Sequence, residues 1–191
     1  MAETDVHRDQ MIYLLNALQE YLRNDPKAYV TGNIFLYYRD ALGELKSVAP
    51  DIFVVTGIKK NLRRVYVIEK EGKAPDLVIE LISRETRLED LGSKRVLYAG
   101  FGVTEYFIFD PLQETLSMQL RGFHLEGEEY TPMIGARLHS EVLDLDLVVE
   151  DQRLRLYDRK TSAYLRSHQE AEAEVTRLRE ELSKLKSAQK G

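Results

Sequence analysis

Two acids in this chain enter apolar runs, and a lysine follows them. Asp51 opens "DIFVV" directly after Pro50, and Glu80 stands inside "DLVIELIS" among Leu77, Val78, Ile79, Leu81 and Ile82. Alternate side chains of a strand share a face, so Asp76, Val78, Glu80 and Ile82 point one way and Leu77, Ile79 and Leu81 the other. An ionised carboxylate in such company is costly unless it is paired or bound to metal. Glu80 therefore lies near the solvent end of its strand or has a cationic partner, and a plain salt bridge would serve. Asp51 offers more. A proline fits the first residues of a strand, where no ladder donor is needed. If the strands of Asp51 and Glu80 are neighbours, directly or through "RRVYVIE", two carboxylates meet at one edge of a sheet. With no cysteine in the chain and no histidine in these runs, that pair suits magnesium or manganese rather than zinc.

Lys94 is the third member. Helical spacing surrounds it with Leu91, Leu97, Tyr98 and Phe101, so it projects from a largely apolar face with Asp90 and Tyr98 one turn to either side. A helix that directly follows the Glu80 strand can pack back across the sheet and carry the amine to the carboxylates. A lysine that snorkels and pairs with Asp90 is the other reading. Gly92, in mid-helix, costs about 1 kcal/mol against alanine and predicts a close approach to another backbone. Two carboxylates, a divalent cation and a lysine form a kit for phosphodiester hydrolysis. The metal acidifies and positions water, and the lysine steadies the hydroxide or the charge growing on phosphorus. In such a site the carbonyl of Leu81 is a further candidate ligand.

The elements that must position these groups follow from periodicity. Apolar residues at Ile12, Leu15, Leu18 and Leu22 predict a helix over 6–22, ended by "RNDPK". "YVTGNIFLYY" predicts a strand from about Ile34, "DALGE" a turn, "DIFVVTG" and "RRVYVIE" two further strands, and "KEGKAP" a loop. "DLVIELIS" reads as a strand buried on both faces. "SRETRLEDLGSKRVLYAGFG" reads as a capped helix ended near Gly100 to Gly102, and "EYFIFDP" as a strand stopped by Pro111. "TLSMQLRGFHLEGEEYTPM" predicts a hairpin or meander turning at "EGEE"; "EVLDLDLVVEDQRLRLYD" alternates without dividing clearly. The fold class is α/β, a mixed sheet flanked by helices.

The tail differs. Val175, Leu178, Leu182 and Leu185 keep heptad spacing, with Glu174 and Glu181 at g and Arg179 and Lys186 at e when Val175 is a. That is the pattern of a parallel two-stranded coiled coil. The expected organisation is a domain over 1–160 and a helical tail over 161–191 through which the chain forms a homodimer; a helix packed on its own domain is the alternative.

At 191 residues and 43 % hydrophobic the chain can bury a core without staples. The absence of cysteine excludes disulfides and thiolate metal sites. No run can span a bilayer, and "MAETDVHRDQ" lacks the basic-then-apolar export pattern, so the expectation is a cytoplasmic protein without membrane contact. A net charge of −5 argues against non-specific coating of nucleic acid but not against a nuclease. The main basic run, "KKNLRR", reads as a solvated loop.

The run "APDLVIELISRETRLEDLGSKRVLYAGFGVTEYFIFDP", with "VAPDIFVV" and "RRVYVIEKEGKAPD" upstream, resembles the Uma-two family of endonucleases within the PD-(D/E)XK nuclease superfamily. The resemblance covers most of residues 5–120 and implies a restriction-endonuclease-like fold, DNA as partner and magnesium as cofactor. Laid on this chain, the motif takes Pro50 and Asp51 as its PD and Glu80 as its acid. Its lysine would stand at position 82, where this chain has Ile82; Lys94 matches the lysine of the family's own pattern. The implied function is a metal-dependent endonuclease, with Asp51, Glu80 and Leu81 at the metal and Lys94 assisting attack by water. The alternative is an inactive nuclease-fold module that binds DNA or regulates as a dimer. Many superfamily members add an acid from the first helix, for which Glu20 is the candidate, and His7 is a further neighbour to consider. Asp76 is expected to anchor a loop, Asp110 to serve a turn, and Tyr98 to pack or to orient Lys94.

Overall fold

In the computed structural model, which describes residues 4–188, the acid-bearing strands lie side by side. The chain opens with α1 (Asp5–Tyr21), capped by the Thr4 hydroxyl, which accepts the His7 N–H. Strands β1 (Ala28–Thr31), β2 (Leu36–Arg39), β3 (Leu45–Val48), β4 (Ile52–Thr56) and β5 (Tyr66–Val67) follow, then the single-turn helix α2 (Ile68–Glu71) and β6 (Leu77–Leu81). A π-helical turn (Glu89–Ser93) leads into α3 (Lys94–Phe101). After it come β7 (Glu105–Phe109), β8 (Leu120–Glu126), β9 (Glu129–Pro132), β10 (Arg137–Ser140), β11 (Leu145–Glu150), β12 (Arg153–Asp158) and β13 (Ala163–Tyr164). The last element among the described residues is α4 (His168–Ala188).

The mixed α/β architecture expected is present, and among the described residues its strands form three sheets. The main one has the order β1-β4-β6-β7-β8-β9, parallel at β6–β7 and antiparallel elsewhere. A second sheet runs β10-β11-β12-β13, and a small third runs β3-β2-β5. Strand β6 is central and wholly buried, as its continuous apolar run requires. One face of the main sheet packs Ile52, Val54, Ile79 and Phe107 against Leu14 and Leu18 of α1 and against Leu147 and Leu156 of the second sheet. The other packs Phe53, Val78, Tyr106 and Ile108 beneath Tyr98 of α3 and against Leu36 and Tyr66 of the small sheet.

Four expectations change. "YVTGNIFLYY" is two strands in two sheets, because Gly32 and Asn33, the latter at φ 52°, turn the chain between them. "RRVYVIE" gives only two strand residues, paired with β2 and followed by a helical turn, so it does not stand between Asp51 and Glu80. The helix expected from Ser83 starts late. Residues 83–86 form a tight turn in which the Ser83 N–H donates to the Thr86 hydroxyl and the Thr86 N–H to the Ser83 hydroxyl. Gly92 lies in the π-helical turn with nothing near its missing Cβ, so no close backbone approach explains it. "EGEE" is the β8–β9 turn, as its sequence suggests. The unreadable "EVLDLDLVVEDQRLRLYD" contains β11 and β12, joined at Asp151 and Gln152, both at positive φ.

Candidate active site

The pairing of β4 with β6 sets Ile52 opposite Ile79 and Phe53 opposite Val78, so continuing it by one residue brings Asp51 opposite Glu80. The contact is direct. The Asp51 N–H donates to Glu80 Oε2 at 3.3 Å, and the Leu81 N–H donates to Asp51 Oδ2 at 2.7 Å. Gly32 makes this possible. A Cβ on Gly32 would stand 1.9 Å from the Asp51 carbonyl oxygen, and the neighbouring Asn33 N–H donates to the Pro50 carbonyl at 2.9 Å. The β1–β2 turn therefore grips the backbone that presents Asp51, a role no local pattern in the sequence discloses.

Glu80 is 1 % exposed. It shares its face with Val78 and Ile82, beneath α3. Lys94 Nζ lies 3.1 Å from Glu80 Oε1 and 2.7 Å from Asp90 Oδ1, and Tyr98 donates its hydroxyl to Glu80 Oε1 at 2.6 Å. Lys94 thus pairs with Glu80 and Asp90 together; the two readings of this lysine are not exclusive. Tyr98 orients the carboxylate rather than the amine. Asp90, itself buried, is held by its backbone: its N–H donates to the Thr86 carbonyl, and its carbonyl accepts the Tyr106 hydroxyl.

Burial, and after it the charge of Asp51, pushes the Glu80 carboxyl up to about 8, against the pull of Lys94. Burial likewise raises Asp90, again opposed by Lys94. Burial works against the Lys94 charge, but Glu80 and Asp90 outweigh it and raise the ammonium above its usual range. Its two carboxyl partners thus favour the ammonium form of Lys94, which suits a donor rather than a base.

The group lies on a cleft of about 500 Å³ whose lining includes His7, Asp51, Leu81, Asp90 and Lys94. His7 reaches it from the first turn of α1, its Nε2 3.6 Å from Asp51 Oδ1. Glu20 does not come to it. It is 69 % exposed, paired with Arg23 at 2.7 Å, and lines a separate groove between α1 and α4. The remaining candidates serve loops. Asp76 accepts the Thr56 N–H at 2.6 Å and pairs with Lys73, and Asp110 accepts from the backbone and hydroxyl of Thr115 and from the Leu116 N–H.

The site fits a hard divalent cation on its charge. Lys94 answers two buried acids, Glu80 and Asp90, while Asp51 beside them adds a third negative charge that raises the Glu80 carboxyl. The donors are oxygens. Among the described residues no group of three or more His, Cys, Asp or Glu side chains forms a ready metal cage; one or two carboxylates with water is the usual protein share of a magnesium site.

Comparison with known proteins agrees with this architecture. A crystal structure described as that of a putative nuclease belonging to DUF820, from Anabaena variabilis ATCC 29413, superposes with a TM-score of 0.59 at 14 % identity, over 80 % of this chain and 82 % of that one. At that identity the likeness is one of fold. No curated protein matches the chain. A family model, Uma2, described as "Putative restriction endonuclease", matches residues 1–186. With the match running over nearly the whole length, the chain belongs to the Uma2 family.

Proposed function

We propose that this protein is a metal-dependent endonuclease that hydrolyses phosphodiester bonds of DNA. The observation that carries the reading is one contact chain beside the cleft: Asp51 bonds Glu80, and Lys94 bridges Glu80 and Asp90, with Asp51, Asp90 and Lys94 on the lining. Asp51 and Glu80, with the carbonyl of Leu81, would hold magnesium or manganese. When bound, the ion supplies positive charge beside a phosphate and lowers the pKa of water. The Leu81 N–H fixes the Asp51 carboxylate, and Tyr98 fixes that of Glu80. Lys94, clamped between Glu80 and Asp90, keeps its proton at Nζ and donates to an attacking oxygen or to the charge developing on phosphorus. Because the lysine comes from α3, Ile82 at the strand position does not remove the amine from the site.

Two finer points belong to the same reading. Among the described residues no helix is long and apolar enough to cross a membrane, and we take the protein to act in the cytoplasm. The globular part, 1–160, would work as a homodimer joined through the tail, 161–191, whose last residues, 189–191, lie outside those described. In α4 Val175, Leu178, Leu182 and Leu185 are all about half exposed. In a parallel pair, Glu174 and Glu181 of one copy face Arg179 and Lys186 of the other.

Incubating plasmid and oligonucleotide DNA with manganese tests the proposal, with wild type beside Glu80→Ala and Lys94→Ala. Cleavage by wild type that both variants lose is the expected result. Equal cleavage in all three would mark a contaminant. Indifference of the wild type to metal, in binding and in cleavage, would favour the inactive DNA-binding dimer that Ile82 suggests.

A further inference from the structure

We propose that Arg84 receives a phosphate of the substrate at the mouth of the cleft, and that Glu114 stands in for that phosphate in the free protein; this rests on the nuclease reading above. Among the described residues the lining of the cleft includes three side chains able to carry positive charge: His7, Arg84 and Lys94. Lys94 is taken by Glu80 and Asp90, and His7 faces Asp51. The acids on the same lining are Asp51, Glu85, Asp90, Asp110 and Glu114. A polyanion entering here meets repulsion, and one guanidinium stands at the rim to offset it.

The backbone that carries this guanidinium is held in a bonded turn, and the guanidinium itself is loosely engaged. Arg84 follows Glu80 by four residues and sits inside the turn locked by Ser83 and Thr86. The opposite rim is locked by Asp110, which takes three hydrogen bonds from Thr115 and Leu116. Arg84 Nε spans the two rims to Glu114 Oε2 at 2.9 Å, with the side chains 69 % and 41 % exposed. An ion pair so exposed contributes little stability and exchanges readily. A carboxylate and a phosphate present the same paired oxygens to a guanidinium, and the phosphate does so with more charge. No residue of the basic run "KKNLRR" is on the cleft lining. Arg63 is bonded to Glu71 and lies over the Tyr29 ring, and Lys60 donates to the carbonyls of Leu22 and Arg23.

The test measures binding of a labelled oligonucleotide by anisotropy in EDTA over a range of salt, and kcat and KM with manganese. For Arg84→Ala, Kd and KM should rise about tenfold with kcat little changed, the effect of one lost charge-assisted contact. Its plot of log Kobs against log salt should be shallower by about one. Arg84→Lys should recover part of the affinity, and Glu114→Gln should bind about two- to fivefold tighter as the competing carboxylate goes. Cleavage by wild type with an unchanged KM and salt slope in Arg84→Ala would overturn the assignment and leave the nuclease standing. So would a loss confined to kcat. Weaker binding by Glu114→Gln would overturn the stand-in role. A wild type that neither binds nor cleaves would overturn both readings.

Discussion

Glu80→Gln should make the metal-free protein more stable at neutral and alkaline pH while removing its activity. Burial and Asp51 raise the Glu80 carboxyl from its ordinary 4.5 to about 8. Between those values the folded protein holds a proton that the unfolded chain has released. Stability from this group is therefore fully present below about pH 4.5 and lost as pH rises through about 8. At about 1.4 kcal/mol per pH step, the penalty reaches at most about 3 kcal/mol at pH 7. Glutamine escapes it. The amide can still accept from Tyr98 and Lys94, and Lys94 keeps Asp90 at 2.7 Å. Against this, the Asp51 N–H now given to Glu80 Oε2 can lose its acceptor, at a cost of about 1–2 kcal/mol. A net gain of about 1–2 kcal/mol should raise Tm by about 2–8 °C for a chain of this size. Thermal unfolding in EDTA from pH 5 to 9 checks it: the gap between variant and wild type should be smallest at pH 5, widen towards pH 8 and then level. Added magnesium should raise the wild-type Tm and leave the variant unmoved. A Tm lowered by several degrees at pH 8 would refute the reasoning and make Glu80 and Lys94 a structural ion pair.

Two further outcomes follow from the geometry. Gly32→Ala must displace the Asp51 carbonyl, 1.9 Å from the new methyl; cleavage should fall by an order of magnitude or more and unfolding should be easier by about 1–3 kcal/mol, read by manganese-dependent assay and denaturant titration. Leu178→Lys with Leu182→Lys should convert a dimer to a monomer by light scattering and leave the Tm of the globular part in place, since both side chains are about half exposed in the single chain.

The pair of acids was legible in the sequence because strand alternation is a local rule. Alternation places Glu80 with Val78 and Ile82, and the chain after Pro50 reads as a strand. That β4 and β6 are adjacent is a nonlocal fact, separated along the chain by a loop, β5 and α2, and only the register of Ile52 with Ile79 establishes it. The same limit hid the small sheet, whose β2 and β5 pair across nearly thirty residues. Gly32 was invisible for a different reason. Its work is steric, against a carbonyl nineteen residues away, and a glycine in a turn-like "TGN" has a sufficient local explanation in the turn. Glu20 shows the reverse error: an acid on the expected helix, but on the part of that helix turned towards α4.

The displaced lysine ties these observations together. Position 82 is 2 % exposed and packs in the core beneath α3, so isoleucine there contributes packing while the amine comes from the helix above. Placing the amine on the helix requires that Lys94 and Tyr98 reach Glu80 while Asp90, a turn earlier, reaches Lys94. In a straight α-helix, residues four apart drift by about 40° at each step, so these three would fan across about 80°. The π-helical turn at Glu89–Ser93, closed by the Lys94 N–H on the Glu89 carbonyl, advances less per residue and removes part of that drift between Asp90 and Lys94. The π-turn thus helps bring the Lys94 amine to Glu80, with Asp90 holding the lysine and Tyr98 holding its partner, the placement that the proposed role of Lys94 requires.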